Sequence, residues 1–249
     1  MNFCSVSGDG NINNWVLVKN ELICTNVVGL KNINSISDLD DQLATHSLAS
    51  GTALAFHPTD NNLFLAGTEE GKVFKCSSSY KSRYLDVLPA HHMTVEAIKW
   101  SPFHSDVFMT CSQDWFLKVW DHNFPKQPLF VFELGAAVGD CAWANHSATV
   151  FSAVTNDGKV HVFDLSANKY DSLVSQVVTN KKKTKLTSVQ FNPTDPILCV
   201  GDDRGNVTTL KLSPNLRKMP KLKKGQVYKL DHEVEKSKLE KIVELVRSK

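Results

Sequence analysis

The sequence predicts an all-β fold: about four full antiparallel meanders and one partial one, followed by a C-terminal amphipathic helix. Three observations carry that reading. Four apolar segments each end in an aromatic, TALAF (52–56), VEAIKW (95–100), GDCAW (139–143) and TSVQF (187–191), which sets Phe56, Trp100, Trp143 and Phe191 at intervals of 44, 43 and 48 residues. Each is followed by a second apolar run (LFLAGT, VFMTCS, TVFSAV, ILCVGD), a tight turn (EEG, QDW, NDG, DRG) and a third run (KVFKC, FLKVW, KVHVF, NVTTL). The turn positions Gly71, Trp115, Gly158 and Gly205 keep the same spacing, 44, 43 and 47 residues.

The elements follow in chain order. A truncated copy opens the chain: FCSVS, the turn GDG with Gly10, then NINNW. Residues 31–50 are polar and read as a variable surface loop between repeats. Within each later unit, Asp-Gly and Glu-Gly turns supply the positive φ that short hairpins require. Alternation such as Val160 and Val162 against Lys159 and His161 puts one face of the third strand in a core and the other in a wetter layer. One such meander cannot bury both its faces, whereas copies stacked around an axis bury them against one another. The period is that of a WD40-type β-propeller blade, about 40–45 residues. The sequence therefore predicts an incomplete propeller over 1–213, a basic linker over 214–230 and a helix over 231–249.

In that helix, Leu239, Ile242, Val243 and Val246 recur at one-face spacing, Asp231 is placed to cap it, and Glu233, Glu235, Arg247 and Lys249 match the helix dipole. Two roles fit the pattern: a tethered peg docking in a partner's groove, or a helix folded back on the chain's own β surface. Lys181, Lys182 and Lys183 precede the last repeat; they read as a solvated loop or as a contact for an acidic partner surface.

Composition narrows the function. Hydrophobic content of 42% with 22% charged residues is globular, and a net charge of +2 gives no reason to expect nucleic acid or a membrane surface as partner. The six cysteines are dispersed with no CxxC pair, which points to reduced thiols in a cytosolic setting. The opening residues have no signal-peptide pattern, and no apolar run is long enough to span a membrane. His91-His92 has no spaced Cys or Asp to complete a metal site. Cys141 with His146 lacks a third orienting group, and Glu96 and Asp140 do not recur between repeats. No GxxxxGK[ST], GxSxG or HExxH string occurs. The expectation is a protein without catalysis, cofactor or metal.

Residues 90–121 resemble a WD-repeat unit: Ala90-His91, Ser112, Asp114 and Trp120-Asp121 stand where that family has Gly-His, Ser/Thr, Asp and Trp-Asp. The resemblance implies a buried hydrogen-bond chain through His91, Ser112, Asp114 and Trp120. Asp157 with Phe163-Asp164, and Asp9 with Trp15, keep part of it. The strings WDHN, AVGD-CAW, DGKVHVFDL and GDDRG…KLSPNLRKMPK are similar to the C-terminal half of axonemal outer-arm dynein intermediate chains, with a departure at Asn145-His146, where the family favours proline. By that resemblance the chain is a non-catalytic scaffold in the axoneme of a cilium or flagellum. Its partners would be dynein heavy chains, a second intermediate chain and the doublet microtubule. The family's seven blades and light-chain-binding arm would not be complete here. A generic cytosolic WD-repeat adaptor, such as a ubiquitin-ligase substrate receptor, is the alternative, and a propeller enzyme the more distant one.

Overall fold

The computed structural model describes residues 2–31, 48–80, 84–179, 184–216 and 232–247. Lys181–Lys183, Asp231, Lys249, most of the 31–50 loop and most of the 214–230 linker therefore lie outside the described residues. The chain forms five antiparallel sheets and one helix. The first sheet is β1 (Asn2–Val6), β2 (Asn11–Val18) and β3 (Glu21–Gly29). Next come β4 (Gly51–Phe56), β5 (Leu63–Thr68), β6 (Lys72–Ser77) and β7 (Tyr84–Pro89). The third holds β8 (Val95–Trp100), β9 (Val107–Ser112), β10 (Phe116–Asp121) and β11 (Phe130–Glu133). The fourth holds β12 (Val138–Trp143), β13 (Val150–Thr155), β14 (Lys159–Asp164) and β15 (Val174–Val177). The fifth holds β16 (Leu186–Phe191), β17 (Ile197–Asp202) and β18 (Val207–Lys211), and α1 spans His232–Arg247.

Every sheet is a simple meander, and in the three four-stranded sheets the second strand is the most protected element. β5, β9 and β13 are buried at all six positions, and so read as unbroken runs of apolar and small residues. Both faces of such a strand are covered, so alternation would place polar groups in a core. The third strands alternate more, as in the pattern of β10. The fourth strands are the least protected; β15 is exposed throughout.

The chain divides into two compact units, residues 1–98 and 99–249, with the boundary inside β8. The first is built on Ile12, Val28, Leu30, Phe64 and Phe74. The second joins the fourth and fifth sheets through Val154, Val160, Leu186, Val189, Phe191 and Leu198. Phe151 stacks on Phe163 at 4.8 Å and meets Phe132 edge-on at 5.6 Å. Side-chain bonds one repeat apart also join successive leading strands: Thr52 Oγ1 donates to Val95 O at 2.6 Å, Trp143 Nε1 to Lys99 O at 3.1 Å, and Val189 N to Asp140 Oδ2 at 3.0 Å.

The turn after each second strand repeats its backbone geometry. Gly10, Gly71, Gly158 and Gly205 have φ of 80°, 81°, 84° and 81°, and Trp115 adopts 74° at the same position. Gly71 and Gly205 share φ but not surroundings. A Cβ at Gly71 would lie 2.2 Å from the His91 carbonyl oxygen, whereas nothing lies within 4 Å of one at Gly205. Gly205→Ala is therefore expected to cost only the left-handed penalty, about 1–2 kcal/mol, and Gly71→Ala clearly more. Urea unfolding of the two variants reads the difference; equal losses would show that the close approach at Gly71 is not rigid.

Candidate functional site

Ser112 and Trp120 lie on β9 and β10 of the third sheet, Asp114 in the turn between them and His91 ahead of β8, and the indole of Trp120 bonds a further hydroxyl, that of Thr110. Trp120 is 2% exposed, and its indole N–H donates to Thr110 Oγ1 at 2.9 Å. Thr110 lies two residues from Phe108, the direct cross-strand partner of Trp120. The first sheet repeats the arrangement, with Trp15 paired to Phe3 and its indole donating to Ser5 Oγ at 2.9 Å. The equivalent pairs elsewhere are Cys76 with Ala66, Phe163 with Ala153 and Leu210 with Val200. Donor and acceptor are present together or absent together. A buried indole N–H without its acceptor carries the full desolvation penalty, whereas an apolar pair of matching shape is close to neutral.

Ser112 is buried, and its hydroxyl accepts from the Asp114 amide at 3.2 Å; Asp114 Oδ1 in turn accepts from the Phe116 amide at 3.2 Å. These bonds set the turn that carries Trp115. His91 is buried at the edge of the 1–98 unit, where its amide donates to Gly71 O at 2.9 Å. In the fourth sheet Asp157 accepts from Thr155 Oγ1 and pairs with Lys159 at 2.6 Å, while Thr155 also meets His161 Nε2 at 3.4 Å. Burial raises the Asp157 pKa, but the bonds from Lys159 and Thr155 outweigh it and hold the group below its ordinary value. Of the repeat aromatics, Trp143, Phe163 and Phe191 are buried, Trp100 is half-buried and Phe56 is 41% exposed.

Leu239 is fully buried and Val243 nearly so, while Ile242 and Val246 are half-buried, so the face proposed for a partner is largely covered by the chain itself. Two ions fasten the ends of α1. Glu235 Oε2 accepts from the Ala148 amide at 3.0 Å and from Ser147 Oγ at 3.1 Å, ahead of β13. Arg247 pairs with Asp121, the buried aspartate of the Trp-Asp pair, and lies 5.2 Å from the Phe124 ring. His232 meets Phe103 at 5.1 Å. The helix thus bridges the loops of the third and fourth sheets. Sequence spacing found the apolar stripe, but no local signal tells which surface it faces. Glu235 matches the helix dipole and is in addition a long-range acceptor.

The groups weighed for catalysis have structural partners. Hydrogen bonding with Cys111, together with burial, holds the Cys141 thiol well above its ordinary pKa, which disfavours the thiolate a nucleophile needs. Burial lowers the His146 pKa, and the ring meets Phe191 at 6.0 Å. Burial raises the Asp140 pKa, against bonds from the Val189 and Cys141 amides. Glu96 is half-buried on β8.

Comparison with known proteins agrees with this architecture. A family model described as the dynein axonemal intermediate chain 3 WD40 domain matches residues 37–212. The chain is 52% identical over 247 residues to ciliary dynein intermediate chain 2 of Heliocidaris crassispina, and 56% identical over 247 residues to dynein axonemal intermediate chain 1 of Bos taurus. It is 41% identical over 252 residues to the 78 kDa intermediate chain of the flagellar outer-arm dynein of Chlamydomonas reinhardtii. Each alignment takes in 99% of this chain but only 35% or 36% of the relative.

Two measurements test the site. Thr110→Ala is expected to cost about 1–3 kcal/mol by orphaning the indole. Adding Trp120→Phe, which recreates the Ala153–Phe163 pairing, should cost less than the sum of the two single changes in urea unfolding; simple additivity would mean the bond contributes nothing. The second concerns Glu235. Burial raises its pKa, but bonds from Lys238, Ala148 and Ser147 leave the net shift downward. A depressed carboxylate stabilises the folded state above its unfolded pKa, about 4.3, and loses that contribution as pH falls through the folded value. Hydrogen exchange of the α1 amides should therefore accelerate in acid. Glu235→Gln should lower protection at neutral pH and remove the acid-dependent part; unchanged protection would show the carboxylate idle.

Proposed function

The chain belongs to the axonemal dynein intermediate-chain WD40 family, and from that premise we propose that it serves as a non-catalytic scaffold within an outer-arm dynein of cilia and flagella. The observation that carries this reading is the family match over 37–212, combined with identity above 50% to ciliary and axonemal intermediate chains along nearly the whole sequence. The chain spans about a third of those relatives' length, 35% for the first two. In this reading it contacts dynein heavy chains, a second intermediate chain and the doublet microtubule, and the heavy chains supply the ATP-driven motion. A generic cytosolic adaptor is not favoured, because the relatives named above are dynein subunits.

The physical case is rigidity. Sheets with doubly covered central strands and fixed turn geometry hold surface loops in place while leaving their sequences free to vary. Within this proposal His91, Ser112, Asp114 and Trp120 fasten the third sheet, and Lys181, Lys182 and Lys183 offer positive charge to an acidic partner surface. The helix keeps the third and fourth sheets in register and is not the primary docking element. Ile242 and Val246, half-buried, form the part of its apolar face left for a partner.

Immobilised 249-residue chain, incubated with salt-extracted axonemal proteins, is expected to retain dynein heavy chains, with a full-length relative run alongside as control. Retention by the relative alone would remove the scaffold function from this segment. Replacing Lys181–Lys183 by glutamine should reduce retention in low salt and change it little in high salt, since an exposed charge contact is screened.

A further inference from the structure

Trp115 carries two unfavourable features that no contact in the fold offsets. It sits in the left-handed region, φ 74°, at the turn position where the other four sheets place glycine, and a bulky side chain there is a backbone outlier. It is also 51% exposed. The other four of the five tryptophans have internal partners: Trp15 donates to Ser5, Trp120 to Thr110 and Trp143 to Lys99 O, while Trp100 packs on Phe108 at 5.3 Å. The indole of Trp115 makes no hydrogen bond or ring contact with the described residues.

Free space does not account for the tryptophan. Nothing lies within 4 Å of a Cβ at Gly205, so that turn has room for a side chain too, yet it keeps glycine. Strain held at the surface, with an exposed aromatic and no internal contact to balance it, marks a side chain that serves an external partner.

The surroundings define what that partner offers. Leu134 N donates to Trp115 O at 3.0 Å, which sets the turn beside Leu134 and Gly135. A Cβ at Gly135 would meet nothing within 4 Å, so the neighbouring surface is open. Glu133, the cross-strand partner of Phe116, is exposed, and its carboxylate has no partner among the described residues. Asp114, immediately before the tryptophan, adds a second negative charge. An exposed indole face with carboxylates beside it in the turn and across the ladder attracts a cation. Lys118 on β10 is engaged with other rings, its Nζ lying 5.7 Å from the centroid of Phe116 and 5.9 Å from that of Trp120. The molecule already uses the same combination once: the guanidinium of Arg247 lies 5.2 Å from the Phe124 ring and pairs with Asp121. A guanidinium suits such a site better than an ammonium, because its plane stacks on an indole and its fork meets a carboxylate with two bonds.

We propose that Trp115 and Glu133 form a docking site for an arginine side chain presented by a partner polypeptide. The guanidinium stacks on the exposed indole and donates to the Glu133 carboxylate, and Asp114 adds long-range attraction. The bonds from the Asp114 amide to Ser112 and from the Phe116 amide to Asp114 hold the turn, so the ring is presented with little ordering left to do on binding.

The probe is the tripeptide acetyl-Gly-Arg-Gly amide, titrated into the isotope-labelled 249-residue chain and read by NMR at the Trp115 indole and the Gly135 amide. Saturable shifts are expected, with a Kd on the order of 10 mM for one cation–aromatic contact and one exposed carboxylate. The lysine tripeptide should bind more weakly and the glutamate tripeptide not at all. Glu133→Gln should weaken arginine binding about two- to fivefold. Trp115→Gly removes the ring and the strain together: its urea midpoint should rise while the Gly135 shift disappears. Trp115→Leu, which has no π face, should lose the Gly135 shift as well. A Trp115→Gly midpoint at or below that of the parent means that the indole serves the fold, and overturns the proposal. Equal binding of the arginine and lysine tripeptides, binding that survives Trp115→Gly, or no shift in the parent chain overturns it too.

Discussion

Each meander in this chain is too thin to shield its own middle strand, and that constraint organises the rest. A sheet of three or four strands has two apolar faces, and each must be covered by something outside it. Where neighbours supply the cover, β9 and β13 are buried from end to end. In the first sheet Phe3 stays 47% exposed at the position where its counterparts are sealed. The aromatic at the end of each leading strand, the side-chain bonds between leading strands one repeat apart, and the helix laid across two sheets all serve the same requirement.

Much of this was legible in the sequence because the repeat enforces it locally. Positive φ at a fixed place in one turn of each sheet favours glycine, so Gly10, Gly71, Gly158 and Gly205 act as register marks. Trp115 keeps the place without being glycine, and only the spacing reveals it. The leading strands announce themselves through apolar runs that end in aromatics, and the second and third through apolar runs on either side of the turn. The fourth strands do not. VSQV in β15 is exposed at every position, so no burial pattern shaped it and none could be read.

The bonds that hold the sheets were less visible. Matching the WD-type pattern singled out Ser112, yet the indole of Trp120 selects Thr110, the diagonal neighbour on the same face of β9. A search for hydroxyls on that face, two residues from the cross-strand partner, would have found it, and would have found Ser5 beneath Trp15 too. The helix shows a different limit. Its apolar stripe is a local property, but the surface it covers depends on Ala148 and Asp121, residues far away in the chain. Spacing can say that Leu239 and Val243 share a face; it cannot say what that face meets.

The matched absence of indole and hydroxyl in three of the five repeats bears on how such repeats can diverge. A lineage that discards the acceptor first passes through a form with a stranded donor in a dry interior, and one that discards the indole first passes through a form with a hole. Either halfway stage is less stable than both endpoints, so drift across this pair crosses a barrier rather than a plain. Units that have crossed it, such as the one holding Phe163 over Ala153, are free to wander further from the parental pattern, while those holding Trp15 and Trp120 are held back. The uneven preservation of the motif along one chain then follows from the energetics of single substitutions, without any difference in what the units are for.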